Sequence, residues 1–240
     1  DSLALAQSHH VRGVRAAMIG DVATFLRHLE AAVEAFDQAG DQRNVLLERT
    51  TVAWCYAEIG WFENAENICR KNLEACEAAQ APQAITYAKV NLGYILAYRP
   101  GRLDEARQVL KAAIAECRAV NNVRLEGWSR AHLSGVELQS FDFVAAEQEG
   151  RAAAELLAAA PGLKSWALAC RARALLQLNR AAEALECARA AMEILERLGG
   201  LLQGETLPPL VLALSLIASG DRHGAIAAAA DAKRRLNFRA

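Results

Sequence analysis

The chain has 240 residues, 53% of them hydrophobic and only 6% aromatic, and its 27 basic and 28 acidic residues leave a formal net charge of −1. This balance excludes a general electrostatic attraction to nucleic acid or to an anionic membrane. No run of about twenty apolar residues occurs, so the sequence predicts no membrane-spanning helix.

Turn-forming residues recur along the chain at a nearly constant interval. Apolar residues at spacings of three and four on either side of each turn predict one amphipathic helix before it and a second after it. The turns are Gly20, Gly60, Gly101, Ser140, Asn179 and Gly220, which are 40, 41, 39, 39 and 41 residues apart. A period of about forty in a helix-rich sequence predicts stacked helical hairpins.

In chain order, the turns define six repeats within a single predicted solenoid domain that covers 1–240. In the second repeat, the two helices are predicted over about 42–58 and 62–79. Pro100 adds one residue near the third turn, so we expect that turn to be irregular. The repeats span 3–40, 41–80, 81–121, 122–160, 161–200 and 201–238.

Proline punctuates the last three repeats. Pro161-Gly162 separates the fourth repeat from the fifth, because proline is tolerated in the first turn of a helix and disfavoured in its interior. The glycines at 199 and 200, followed by Pro208-Pro209, predict a looser junction before the sixth repeat. We expect the first helix of that repeat to begin near Leu207.

Three columns of small or apolar residues follow the turns at fixed distances, and we interpret them as core positions at which helices approach closely. Five residues after the turn, the column reads Phe25, Ala65, Ala106, Ala145, Ala184 and Ala225. Twelve residues after it, the column reads Ala32, Asn72, Ala113, Ala152, Ala191 and Ala232. Sixteen residues after it, the column reads Phe36, Cys76, Cys117, Leu156, Leu195 and Leu236.

The six cysteines contain no Cys-x-x-Cys pair, and two of them stand in the third apolar column. A cysteine at an apolar core position acts as a small hydrophobic residue. We therefore interpret all six as buried free thiols, a usage that suits a reducing cytoplasm.

This pattern resembles the tetratricopeptide repeat. The third copy carries the resemblance most clearly, with Asn91-Leu92-Gly93-Tyr94 before the turn and Gly101-Arg102-Leu103-Asp104-Glu105-Ala106 across it. The resemblance covers nearly the whole chain, although the period exceeds the family's short form of about 34 residues. It implies an all-α, right-handed α-solenoid of about six helical hairpins, with about twelve antiparallel helices.

The resemblance also implies that the first helices of the repeats line a concave groove that holds partner peptides. Aromatic and arginine side chains are common energetic anchors of protein interfaces. Transferring the groove positions copy by copy gives the candidate residues His10, Trp54, Glu58, Asn91, Tyr94, Tyr98, Arg130, Glu137, Trp166, Arg173 and Gln177. The alternative is that the aromatic residues fill gaps between long helices.

The sixth repeat supplies an unusually apolar set of groove positions: Leu207, Leu210, Leu214 and Ile217. Such a helix is suited to an interface. In the resembled family, long-period repeats occur in the helical regions of large bacterial signalling proteins. Because the chain also begins at Asp1 rather than Met, we expect it to be a segment of a longer regulator.

No constellation of catalytic, metal-binding or cofactor-binding residues is predicted. The five histidines lack the H-E-x-x-H spacing, no serine or cysteine stands in a nucleophile motif, and the glycines mark helix turns. The leading interpretation is a non-catalytic cytoplasmic scaffold that binds a protein or peptide. The alternatives are a self-association module that forms a homodimer through the terminal repeat, and a sensor of a small molecule or signalling peptide.

Overall fold

A computed structural model describes residues 1–239 of the chain, and the side chains of residues 1–237. Twelve helices and no strand occur within 1–239. The helices are α1 (Ser2–Met18), α2 (Val22–Gln38), α3 (Gln42–Glu58), α4 (Phe62–Ala78), α5 (Pro82–Ala97), α6 (Leu103–Ala119), α7 (Val123–Gln139), α8 (Phe143–Leu156), α9 (Pro161–Gln177), α10 (Ala181–Leu198), α11 (Leu207–Ala218) and α12 (Arg222–Arg239).

The predicted all-α architecture of consecutive helical hairpins is confirmed. Helices α3 and α4 lie where the second repeat predicted them, and α11 begins at Leu207, with Pro208 and Pro209 in its first turn. The turn between α5 and α6 is longer than its counterparts, as the extra residue near Pro100 predicted.

Two compact units make up the structure. The first, Asp1–Glu116, contains α1 to α5 and most of α6, and the second, from Cys117 onward, contains the end of α6 and α7 to α12. Consecutive helices pack on one another from α1 to α5 in the first unit and from α7 to α12 in the second, because each presents apolar residues to its neighbours in the chain. The division into one domain over 1–240 stays a prediction.

Five of the six turns within the repeats share one hydrogen-bonded geometry, from which the longer α5–α6 turn differs. At the end of α3, the Trp61 N–H donates to the Tyr56 carbonyl at 2.9 Å, and Gly60 between them has a φ of +85°. This arrangement closes the helix but requires a left-handed residue, which glycine supplies without a steric penalty. Asn179 takes the left-handed conformation in the fifth repeat, with a φ of +57°.

The predicted turn of the fourth repeat was wrong by one residue. Ser140 has a φ of −85°, and the left-handed residue is Phe141, with a φ of +62°. The Asp142 N–H then donates to the Glu137 carbonyl at 3.0 Å, in the same pattern as in the other turns. Phenylalanine is not a turn-forming residue, so the sequence carried no signal at position 141.

The core columns of the fourth repeat move with the turn. Ala146, Ala153 and Leu157 are buried there, while the residues we expected, Ala145, Ala152 and Leu156, are only partly buried. In the other repeats the columns are buried as predicted, except that Leu236, near the end of α12, is exposed and Ala232 is partly buried. All six cysteines are buried free thiols, which confirms their interpretation as core residues.

Candidate functional site

Polar contacts join the first helices of the repeats in the first unit. His10 Nδ1 on α1 lies 2.6 Å from Glu48 Oε1 on α3, and the Tyr94 hydroxyl on α5 donates to Glu58 Oε1 on α3 at 2.6 Å. Burial raises the pKa of the Glu48 carboxyl, although the neighbouring His10 acts in the opposite direction. Three of the predicted groove residues, His10, Glu58 and Tyr94, therefore take part in contacts between neighbouring first helices.

Two other candidates in this unit lie in its interior. The Trp54 ring is buried and meets Phe25 edge to face, with ring centroids 6.3 Å apart. Asn91 is fully buried, and its amide nitrogen donates to the Tyr87 carbonyl at 2.9 Å. Trp54 therefore fills space between helices, which is the alternative that the sequence left open.

A surface depression of about 560 Å³ lies between the α3–α4 turn and the α5–α6 turn. Two aromatic side chains dominate it, because Trp61 is 58% exposed and Tyr98 is 52% exposed. Tyr98 was a predicted site residue, whereas the aromatic residues after Gly60 were missed. The lining residues are Gly60, Trp61, Phe62, Glu63, Asn64, Tyr98, Arg99 and Pro100.

The rings at the depression are held in fixed orientations by contacts with one another. Phe62 and Tyr98 stack with centroids 5.2 Å apart and an interplanar angle of 7°, and Tyr94 meets Tyr98 edge to face at 5.3 Å. Trp61 stacks on Tyr56 at 5.8 Å. The rings are therefore pre-organised, so ordering them on binding costs little side-chain entropy.

Trp61 lies at the N-terminus of a helix, at a position where aspartate would stabilise that helix. It is the N-cap of α4, and it makes no side-chain capping bond. The second helices α2, α8 and α12 instead begin after Asp21, Asp142 and Asp221, whose carboxylates accept from backbone N–H groups of the first turn. Replacing an N-cap aspartate costs about 0.5–2 kcal/mol, so Trp61, like Arg180 before α10, lacks the stabilisation that these aspartates provide.

Charges of both signs line the depression, and the Arg99 guanidinium lies 3.8 Å from the Glu63 carboxylate. Glu63 is 84% exposed, and Glu58 accepts from the Tyr94 hydroxyl. Glu30 accepts from the Tyr56 hydroxyl at 3.2 Å, and burial together with this carboxylate raises the pKa of Tyr56. The Arg99 guanidinium, which lines the depression, is bound at 3.1 Å by the Glu66 carboxylate.

In the second unit, the candidate Trp166 lies in an aromatic cluster on α7 and α9. Its ring centroid is 4.6 Å from that of His132, which is 5.1 Å from that of Trp128. Trp166 is only 8% exposed, and burial lowers the pKa of His132 from its ordinary 6.5 to about 3. The backbone at Gly204 approaches the Trp166 indole closely, and Gln203 contacts Trp128.

The two candidate groove residues of the fourth repeat, Arg130 and Glu137, were selected with Ser140 as the turn residue. Arg130 is buried and forms ion pairs with Glu126 at 3.0 Å and with Glu149, so its charge serves packing between helices. Glu137 is buried as well. Counting from Phe141 instead of Ser140 moves the groove positions of this repeat by one residue, and the assignment of Arg130 and Glu137 to the groove stays a prediction.

The remaining candidates are accessible. Arg173 and Gln177 are exposed on α9. On α11, Leu207 is partly buried, whereas Leu210, Leu214 and Ile217 are exposed and follow one another at spacings of four and three, so they form one apolar stripe.

Among the residues that the structure describes, no group of three or more His, Cys, Asp and Glu side chains is placed to hold a metal ion. Within the same residues, every helix is too short or too polar to span a bilayer.

The sequence matches no protein-family model and no curated protein. Solved structures, however, share the fold. A Rap protein complexed with Competence and Sporulation Factor superposes with a TM-score of 0.79 at 13% identity, over 99% of this chain and 69% of that one. BtubC from P. vanneervenii gives a TM-score of 0.62 at 17% identity, over 95% and 90% of the two chains.

A third structure is a signal transduction ATPase with numerous domains and a tetratricopeptide repeat sensor, from Pyrococcus horikoshii. Its TM-score is 0.62 at 15% identity, over 98% of this chain and 36% of that one. At these identities the likeness concerns the fold alone. The chain therefore has a tetratricopeptide-like helical-repeat fold, as the sequence pattern predicted.

Proposed function

We propose that this chain is a non-catalytic scaffold that binds a protein or peptide, and that the depression between the α3–α4 and α5–α6 turns is a contact site. The observation that carries this proposal is Trp61, an exposed indole at a capping position where three other hairpins have aspartate. Exposed, pre-organised aromatic rings are typical anchors of protein interfaces. The Rap neighbour, which was solved with a bound factor, is consistent with a binding role for this fold.

The chemistry around the depression favours a partner segment that carries basic residues. A guanidinium or ammonium group is attracted to the face of an aromatic ring, and the exposed rings here are Trp61, which stacks on Tyr56, and Tyr98, which stacks on Phe62. Glu30 and Glu58 add negative charge through their contacts with Tyr56 and Tyr94, while Arg99 pairs with both Glu63 and Glu66. We expect such charges to contribute mainly to association rate and specificity.

The wider groove remains part of the proposal. Glu58 lies at the end of α3 and accepts from Tyr94, and His10 contacts Glu48 further along α3, so a bound segment can extend from Tyr98 along α3. By its resemblance to long-period repeats, and with the Pyrococcus ATPase as a precedent for repeats within a larger chain, we propose an interaction or sensing region of a larger cytoplasmic bacterial regulator. We expect neither nucleic acid nor a membrane as its partner, given the net charge of −1.

The proposal is tested by a pull-down from a lysate of the source cell with three forms of the chain: wild type, Trp61→Ala and Trp61→Asp. Both substitutions remove the ring, but the aspartate restores a capping acceptor for α4. Thermal unfolding followed by circular dichroism should find Trp61→Asp more stable than Trp61→Ala by about 1 kcal/mol. We expect both variants to lose the partner.

The matched control is Phe141→Gly, which removes a still more exposed aromatic side chain, 79% against 58% for Trp61, from the corresponding turn of the fourth repeat. This variant should retain the partner. A partner retained by both Trp61 variants would contradict the proposed site. Loss with Phe141→Gly as well would indicate contacts at the turns in general instead of at this depression.

Self-association is a second candidate, favoured by the exposed stripe of Leu210, Leu214 and Ile217 on α11. Contiguous exposed apolar side chains on a helix are typical of an interface. Sedimentation velocity over a hundredfold range of concentration should then show a monomer–dimer equilibrium that Leu214→Lys abolishes. A monomer at all concentrations would exclude this candidate.

A further inference from the structure

Two tryptophans occupy equivalent positions on successive first helices of the second unit. Trp128 is the sixth residue of α7 and Trp166 is the sixth residue of α9. His132 follows Trp128 by one helical turn, and its ring lies between the two indoles. Together these residues form an aromatic surface on α7 and α9, and one of them, Trp166, was a predicted groove residue.

A segment of the same chain covers this surface. Helix α11 has 12 residues, whereas α7 and α9 have 17 each, and the residues just before it leave the helical path. Within residues 201–205, hereafter the 201–205 segment, Leu201 is only 4% exposed and Gln203 only 8%. The Trp128 indole N–H donates to Gln203 Oε1 at 3.3 Å.

The backbone of the segment lies directly against the second indole. A Cβ atom added to Gly204 would lie 2.6 Å from Trp166 Cδ1, and this glycine has a φ of +65°. Only a residue without a side chain allows so close an approach. The segment therefore contacts both tryptophans in an irregular conformation, much as a bound peptide would.

The fit of the segment is incomplete in one respect. Gln203 Nε2 is buried without a hydrogen-bond partner, while Gln203 Oε1 accepts from Trp128. The segment is anchored beside the surface, where Leu201 packs in a core cluster with Met192 and Leu195 and Glu205 forms an ion pair with Arg235 at 2.7 Å. Because the segment is tethered, its effective concentration of about millimolar holds it in place even if its intrinsic affinity is low.

We infer that the surface formed by Trp128, His132 and Trp166 is a second peptide-binding site, which the 201–205 segment occupies as an intramolecular ligand. Its external ligand is an extended peptide in which an apolar residue precedes a carboxamide side chain and a glycine. The carboxamide oxygen accepts from Trp128, and the glycine lies on Trp166. This site is independent of the depression at Trp61, and its test does not depend on a partner from the cell.

The probe is a synthetic peptide with the sequence of residues 199–207, titrated by calorimetry and by tryptophan fluorescence. It is added to wild type and to a variant in which a Gly-Ser sequence of equal length replaces residues 201–205. We expect the replaced variant to bind the peptide with a Kd of about 0.1 mM or tighter and wild type to bind it at least tenfold more weakly, because its own segment competes at an effective concentration of about millimolar.

Two controls connect binding to the named contacts. A peptide carrying Gln203→Ala should bind the replaced variant about tenfold more weakly, because the bond from Trp128 is lost. Trp128→Phe in the replaced variant should weaken the unchanged peptide to a similar extent, since it keeps a ring but removes the N–H donor. Equal binding to wild type and to the replaced variant would overturn the inference, as would no binding to a replaced variant that keeps its helical circular dichroism.

If the replaced variant loses that helical signal, the test moves to the full-length chain with Gln203→Ala alone. This substitution removes one bond from the covering segment and leaves its backbone intact. It should raise the affinity of the chain for the unchanged peptide severalfold over wild type. Unchanged affinity would then overturn the inference.

Discussion

Substitution of Gly204 by alanine measures how tightly the 201–205 segment is packed on Trp166. The new Cβ would lie 2.6 Å from Trp166 Cδ1 and 3.0 Å from Nε1, at a residue with a φ of +65°. A left-handed conformation costs a non-glycine residue about 1–2 kcal/mol. Forcing a methyl group into a packed contact costs about 1–3 kcal/mol more, so we expect Gly204→Ala to lose about 2–5 kcal/mol.

Gly199→Ala is the matched control in the same connection. Gly199 has a φ of +73°, but nothing lies within 4 Å of its added Cβ. It should therefore lose only the conformational cost of about 1–2 kcal/mol. The difference between the two variants isolates the contact with Trp166.

The assay is urea unfolding followed by circular dichroism and tryptophan fluorescence, with the free energies compared at a shared m-value. Acrylamide quenching under native conditions shows whether the segment has instead moved away from Trp166, in which case quenching rises in Gly204→Ala and not in Gly199→Ala. Equal losses of stability in the two variants, with unchanged quenching, would refute the packing of the segment on the indole.

Three further predictions concern the helix contacts and the buried histidine. Gly93→Ala should destabilise the first unit, because its Cβ would lie 2.5 Å from the buried Leu110 Cγ. Gly135→Ala has nothing within 4 Å of its added Cβ, so it should stabilise the second unit by about 1 kcal/mol through helix propensity. Chemical denaturation compares the free energies of unfolding of the two variants. Ala191→Leu should cost about 1–3 kcal/mol in the same assay, because that residue is fully buried in a small-residue column. His132 has a pKa lowered by burial from 6.5 to about 3, so between these pH values the unfolded chain binds a proton that the folded chain does not. Stability should therefore fall by up to about 1.4 kcal/mol per pH unit as the pH drops from about 6.5 towards 3, and a His132→Gln variant should lose that part of the dependence; an identical profile in the variant would contradict it.

The sequence alone determined the positions of the helices and the class of fold. The bounds of α3, the start of α11 and the turn at Gly60 all depend on residues within one or two helical turns of each other. Capping, left-handed turns and apolar spacing act over that short range, so they can be read without a structure. The same logic failed at Phe141, where the left-handed geometry is present but the residue that normally marks it is not.

Only the tertiary structure decided which side chains form surfaces. Trp54 and Trp61 are seven residues apart, yet the first is buried against α2 and the second is exposed beside Tyr98 of the next repeat. The missing N-cap aspartate at Trp61 was a readable signal, but its meaning depended on the neighbouring turn.

The contact of the 201–205 segment with Trp128 could not be predicted from the sequence, because Gln203 lies 75 residues further along the chain. Local patterns fix where a helix begins and ends, and contacts between distant segments fix what each helix leaves exposed.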